Sequence, residues 1–283
     1  MSEHTELITA VIKRIHTLPS LPEVALKLTR LVNDPATTGP MVAELISRDP
    51  AISAKVLRIV NGPTYGRSTP VRDLQEAVSL LGLKTLRSLV VSLSFINSKV
   101  GKTPFNMPAF WTHSTIAASL CRSITTQTKT GDPELYYLIG LMRSIGRIVM
   151  AQNLPDETAT ILKVAEKSRR SFQLAANEVV GTNDAEVGAW LAGKWELEPA
   201  IVDGLRWQYD PEHAPDQTVV PLLRLAEFLC HRKGIRACGD FDIPLATPDD
   251  IRAIGLDGTS LQAVIGTLES ELAKAKALLA SGP

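Results

Sequence analysis

Apolar residues recur at helical spacing along almost the whole chain, and alternating runs bounded by turn residues are hard to find anywhere. That pattern restricts the fold more than any motif does, because a helix-period stripe laid out as a strand would scatter its apolar side chains over both faces. Val24, Leu28, Leu31 and Val32 share one face; Ile52, Val56, Ile59 and Val60 share another; Leu86, Leu89, Val90 and Leu93 make a third. Helix starts are marked too. In Asp49-Pro50, Asp132-Pro133 and Thr247-Pro248 a capping side chain precedes a proline whose missing N–H has no intrahelical partner to lose at that position. The predicted fold class is all-α.

The spacing of breaks divides the chain. Residues 1–98 hold five or six short helices separated at Asn33-Asp34-Pro35, Thr38-Gly39-Pro40 and Asn61-Gly62-Pro63, and form an N-terminal helical subdomain. Residues 99–104 read as a linker. Longer helices follow in a second subdomain over 105–233, with spans near 107–129, 133–152, 156–181, 184–195, 199–208 and 218–233. A loop rich in Gly, Asp and Pro leads to a C-terminal helical extension over 248–283, whose closing helix near 259–280 caps the fold.

Charge narrows the function classes. Thirty Lys and Arg balance thirty Asp and Glu, so no bulk field exists to hold a polyanion, and nucleic acid is disfavoured as a partner. The helices Met41–Ser47 and Pro50–Val60 superficially resemble a helix-turn-helix, but the basic residues nearby, Lys55, Arg58, Arg67, Arg72, Lys84 and Arg87, fit equally an all-α core with basic exposed positions. The most apolar stretch, Leu86 to Ile96, is too short and too polar to span a bilayer. The first residues lack the apolar run of a signal peptide, and the three cysteines are an odd number, so the expected setting is a reduced cytoplasm with no membrane partner.

Several motifs fail on inspection. Gly188-Ala-Trp-Leu-Ala-Gly193-Lys194 has the spacing of a phosphate-binding loop, but Trp195 stands where a magnesium-binding hydroxyl is needed, no strand precedes it, and the segment reads as helix. Small residues set for close helix packing explain it better. Cys230, His231 and Cys238 are too few and too poorly spaced for zinc. No cysteine or serine has the setting of an activated nucleophile.

The runs LPSLPEVALKLTRLVNDP, ISRDPAISAKVLRIVNGPTYG and DLQEAVSLLGLKTLRSLVV resemble, in order, the N-terminal half of an HDOD module. The stretch from FWTHS to about His231 resembles the degenerate HD-superfamily core that completes it, so the resemblance covers roughly residues 15–232. HD-superfamily enzymes are metal-dependent phosphohydrolases that hold their metal with a His, an adjacent His-Asp pair and a later Asp. The resemblance places the first His on His113, the His-Asp pair on Arg143-Ser144, and the last Asp on Glu227. A further family His falls near Asp184, and a double His falls on Gln208-Tyr209.

A fixed cation at a metal position repels metal, so Arg143 is expected to occupy the metal's place, paired with Glu227 or Asp184, with His113 a hydrogen-bonded core residue. The resemblance then implies a non-catalytic bacterial signalling protein, without catalytic residues, metal or cofactor, acting by protein–protein contact. Candidate surfaces are the groove between the two halves and the segments Asn61–Val71 and Pro211–Pro215. Two alternatives are a sensor with a nucleotide or cyclic dinucleotide in the vestigial pocket, and a metal-dependent phosphohydrolase.

Overall fold

The computed structural model describes residues 3–19, 21–62, 65, 69–96, 100–242 and 245–280, and among them no strand occurs. The helices are α1 (Glu3–Lys13), α2 (Glu23–Val32), α3 (Gly39–Ser47), α4 (Pro50–Val60), α5 (Leu74–Leu81), α6 (Leu83–Ile96), α7 (Met107–Thr128) and α8 (Pro133–Met142). They continue with α9 (Ile145–Asn153), α10 (Pro155–Ser168), α11 (Phe172–Val180), α12 (Asp184–Lys194), α13 (Pro199–Arg206), α14 (Val219–Arg232), α15 (Pro248–Ala253) and α16 (Gly258–Leu279). The fold is all-α. The three capped prolines start α4, α8 and α15, where Asp49 accepts from the amides of Ala51 and Ile52, Asp132 from Glu134, and Thr247 closes a capping box with Asp250.

The chain divides into two compact units, one of Ser20–Lys99 with Glu269–Pro283, the other of Met1–Pro19 with Val100–Leu268. This division differs from one drawn along the sequence, because α1 groups with the later helices and α16 is shared out between the units. In the first unit α6 packs on α2, α4 and α5. Every residue from Leu86 to Phe95 is buried, not only the apolar face. Serine tolerates this because its hydroxyl can bond back to the preceding turn, as Ser92 does to Ser88 O at 2.7 Å and Ser94 to Val90 O at 2.8 Å. Among the described residues no single helix is long and apolar enough to cross a membrane; α5 and α6 together would be, but they are bent by 115°. Asn61 shapes the corner after α4, donating to Val71 O at 2.9 Å and accepting from Val71 N at 2.7 Å; several residues of the Asn61–Val71 segment lie outside the described residues.

In the second unit α7 lies along α8 and α14, and α12 along α9 and α13. Two spans read as single helices are each broken. The 133–152 span splits into α8 and α9 at Arg143-Ser144, and the 156–181 span into α10 and α11 at Arg169–Ser171. The second break is made by a left-handed Arg169 (φ 55°) and by Ser171 capping Leu174 N. At Gly146 the backbones of α9 and α12 meet so closely that a Cβ would overlap the Asp184 carbonyl oxygen and come within 2.9 Å of Gly188 N. Gly188, the first glycine of the false phosphate loop, faces Gly146 from inside α12, where its own Cβ would make only ordinary contact. Gly146→Ala is expected to cost about 3 kcal/mol through overpacking. Gly188→Ala, whose Cβ would sit 3.4 Å from the nearest atom, should stay within about 1 kcal/mol of the parent. Urea denaturation of the two variants measures the contrast.

Candidate functional site

The residues that the family pattern singles out all lie in the second unit, and the fold sorts them into two buried charge clusters. The break after α8 turns the Arg143 side chain toward α14, where its Nη1 donates to Glu227 Oε1. His113, projecting from α7, places Nε2 2.9 Å from the same oxygen, with its N–H direction off the line to it. Gln208 follows α13 and fixes the arginine from the other side. Its Oε1 lies 3.4 Å from Arg143 Nε, and its Nε2 donates to Arg143 O at 3.0 Å and Leu205 O at 2.9 Å. Burial pushes the Glu227 carboxyl upward, but the Arg143 guanidinium and His113 outweigh it and hold the group well below the usual carboxylate range. Arg143 is raised in turn, the Glu227 charge overcoming the cost of burial.

Asp184 is not the partner of Arg143. It belongs to the second cluster, centred on Arg147, one helical turn further along the chain. Arg147 Nε donates to Asp184 Oδ2 at 2.6 Å, Nη2 to Asp240 Oδ2 at 2.9 Å, and Nη1 to Cys238 O at 2.7 Å. Tyr209 completes it, with its hydroxyl 3.2 Å from Asp184 Oδ2 and 3.4 Å from Arg147 Nη2. The guanidinium also lies over the Phe172 ring, 4.8 Å from its centroid. Ser144 is buried between these clusters in sequence, but its hydroxyl has no hydrogen-bond partner among the described residues.

Arg147 and Asp240 were not among the residues read from the family pattern. Arg147 had a usable signal, since a position four residues after Arg143 lies on the same face of a continuous helix. Asp240 had none, standing in a loop without periodicity. It ties that loop down, since its Oδ1 also accepts from Phe172 N at 2.8 Å.

This arrangement does not fit a metal. The cation at the centre of the first cluster belongs to the protein, and among the described residues no group of three His, Cys, Asp or Glu side chains converges as a metal site requires. The cysteines are no better placed for covalent chemistry: burial pushes the Cys121 thiol up to about 12 and raises Cys230 as well. Above the first cluster opens a cleft of about 170 Å3, lined by Arg143, Gln208, Tyr209, Arg224, Glu227 and Asp240 together with Ser171, Gln173, Leu174, Leu223 and Asp242.

The family model for the HDOD domain matches residues 18–211. The fold is similar to that of an HDOD domain protein of unknown function from Geobacter sulfurreducens, with a TM-score of 0.83 at 23% identity over 97% of this chain and 98% of that one. A proposed phosphohydrolase from Shewanella amazonensis gives a TM-score of 0.76 at 27% identity, covering 95% and 98% of the two chains. In sequence the chain is 27% identical over 206 residues to the cyclic di-GMP phosphodiesterase CdgJ of Vibrio cholerae, covering 66% of this chain and 45% of that protein. It spans less than half the length of the curated relatives it matches, between 43% and 45% of each.

Proposed function

The chain belongs to the HDOD family, and from that premise we propose that it is a non-catalytic regulatory protein of bacterial signal transduction, working by contact with a protein partner in the cytoplasm. One observation carries the reading: the Arg143 guanidinium is buried against Glu227 at the position where the HD-superfamily pattern calls for a metal-binding His. Metal-assisted hydrolysis needs a divalent ion to polarise the phosphoryl group and to lower the pKa of a bound water. A guanidinium already paired with Glu227 neutralises that carboxylate but cannot bind a water and lower its pKa as a metal does. Three free cysteines, two of them buried, suit a reducing compartment.

The phosphodiesterase activity in the name of the Vibrio relative belongs to a protein of which this chain spans 45%, and it is not carried over. A ligand sensor is the second reading, favoured by the polar cleft beside Arg143 and Gln208. At about 170 Å3 that cleft falls short of the roughly 300–1,000 Å3 usual for small-molecule sites, so a nucleotide would have to widen it. A thermal-shift screen with nucleotides separates the readings, since a ligand bound only by the native state raises its melting temperature.

The main reading is tested by elemental analysis of freshly purified, untagged protein, followed by a cyclic di-GMP hydrolysis assay with added manganese. The expected result is no stoichiometric iron, manganese or zinc and no turnover. One bound divalent ion per chain, or hydrolysis that disappears with chelator, would overturn it.

A further inference from the structure

Between Arg206 and Arg224 the chain carries Asp210, Glu212 and Asp216 and no lysine or arginine, an acidic stretch in a protein whose formal charges otherwise cancel. Within the second unit this stretch folds back along α13 around a pocket of about 290 Å3. Its wall is largely apolar, made by residues such as Gly204, Pro215 and Val219 with Trp207 beside them, and the charged side chains that line it are Asp203 and Asp216.

The two carboxylates are held differently. Asp216 accepts from the Tyr136 hydroxyl at 2.7 Å and from Thr218 N at 2.9 Å, which fixes it in place. Burial and Asp216 itself push the Tyr136 phenol upward, so it keeps the proton it donates. The Asp203 side chain has no ion pair or hydrogen bond among the described residues and is only half-buried. Trp207 is stacked against His213, their ring centroids 5.7 Å apart, and its indole N–H likewise has no partner among the described residues.

An apolar wall lined by two carboxylates, one of them held in place by Tyr136 and Thr218 N, has a definite complement. A neutral polar group would desolvate without gaining a charge partner, and an anion would meet two carboxylates. A lysine or arginine side chain matches both features, because its methylene stem covers apolar surface while its head stays with the carboxylates. The volume accommodates such a side chain. We propose that this pocket receives a basic side chain, lysine or arginine, projecting from the protein partner. The proposal rests on the reading that the chain acts through protein contacts, and it gives that partner a chemistry: a basic residue presented on an exposed segment.

The test uses the full chain, 15N-labelled, with N-acetyl-lysine amide and N-acetyl-arginine amide as probes and N-acetyl-glutamine amide as the neutral control. Millimolar affinity is expected for a single side chain. The Trp207 indole N–H resonance should shift saturably with both basic probes and not with the control, while those of Trp111, Trp190 and Trp195 stay in place. Asp203→Asn, at a half-buried position without a structural bond, should weaken binding about fivefold. No saturable shift at Trp207, an equal shift with the glutamine probe, or unchanged binding in Asp203→Asn overturns the proposal. The metal and hydrolysis measurements are independent of this titration, so failure of the pocket and failure of the non-catalytic reading are seen separately.

Discussion

Glu227→Gln should lower the unfolding free energy by about 3–5 kcal/mol, the cost of leaving a buried guanidinium without its counter-charge. Glutamine keeps the shape of the side chain and removes only the charge that Arg143 and His113 share. The size of the effect comes from Arg143, which is itself buried and whose other side-chain hydrogen bond among the described residues is a 3.4 Å approach to Gln208 Oε1. Removing both charges is a different matter. Arg143→Met with Glu227→Leu should recover most of the loss or exceed the parent, because two ions no longer need to be desolvated. Urea denaturation of the parent, the single variants and the double variant gives the coupling directly. A Glu227→Gln protein within 1 kcal/mol of the parent would mean that the pair is solvated and that Arg143 does not fill a closed site.

The same pair sets an acid dependence. Burial alone would raise the Glu227 carboxyl, yet Arg143 and His113 bring it well below the ordinary 4.5. The unfolded chain therefore binds a proton at Glu227 before the folded protein does. The stabilisation is fully present above about pH 4.5 and is lost as pH falls from there toward the folded value. Glu227→Gln should remove this part of the acid slope while leaving that of the exposed carboxylates.

How much of this could be read from the chain follows from the range of the interactions concerned. Helix class and the three proline-capped starts are local, and local spacing states them. The break at Arg143-Ser144 carries no such mark, since no proline stands there, and the close approach of the Gly146 backbone to α12 just after it is a tertiary contact. The partner of Arg143 was narrowed to two carboxylates by family pattern, and geometry chose Glu227. Asp184 went instead to Arg147, which also bonds Asp240, 93 residues away. Charge pairing of this kind is decided by which helices cross, and neither composition nor period carries that information. The acidic stretch after Arg206 was visible in the sequence as an exposed turn, Pro211–Pro215, but its pocket exists only once α13 lies beside it.

Restoring the family pair is the sharpest test of what Arg143 does. Arg143→His combined with Ser144→Asp should create binding of zinc or manganese that the parent is expected to lack. Two donors are already in place, since the His113 imidazole and the Glu227 carboxylate lie 2.9 Å apart. The new pair would add a second imidazole and a carboxylate at the break between α8 and α9, making the mixed nitrogen and oxygen set that zinc accepts. Removing the guanidinium also removes the charge that repels the ion, and Glu227 would be left needing a cation. Metal then becomes that cation, and metal at one hundred times its dissociation constant should raise stability by about 2.7 kcal/mol. Calorimetric titration and metal-dependent melting of the double variant measure both effects. Arg143→His alone should bind weakly, because it supplies one donor fewer. If the double variant folds and still takes up no metal, Arg143 is not what closes the site, and the cause would lie in the second cluster, where Arg147 already claims Asp184 and Tyr209.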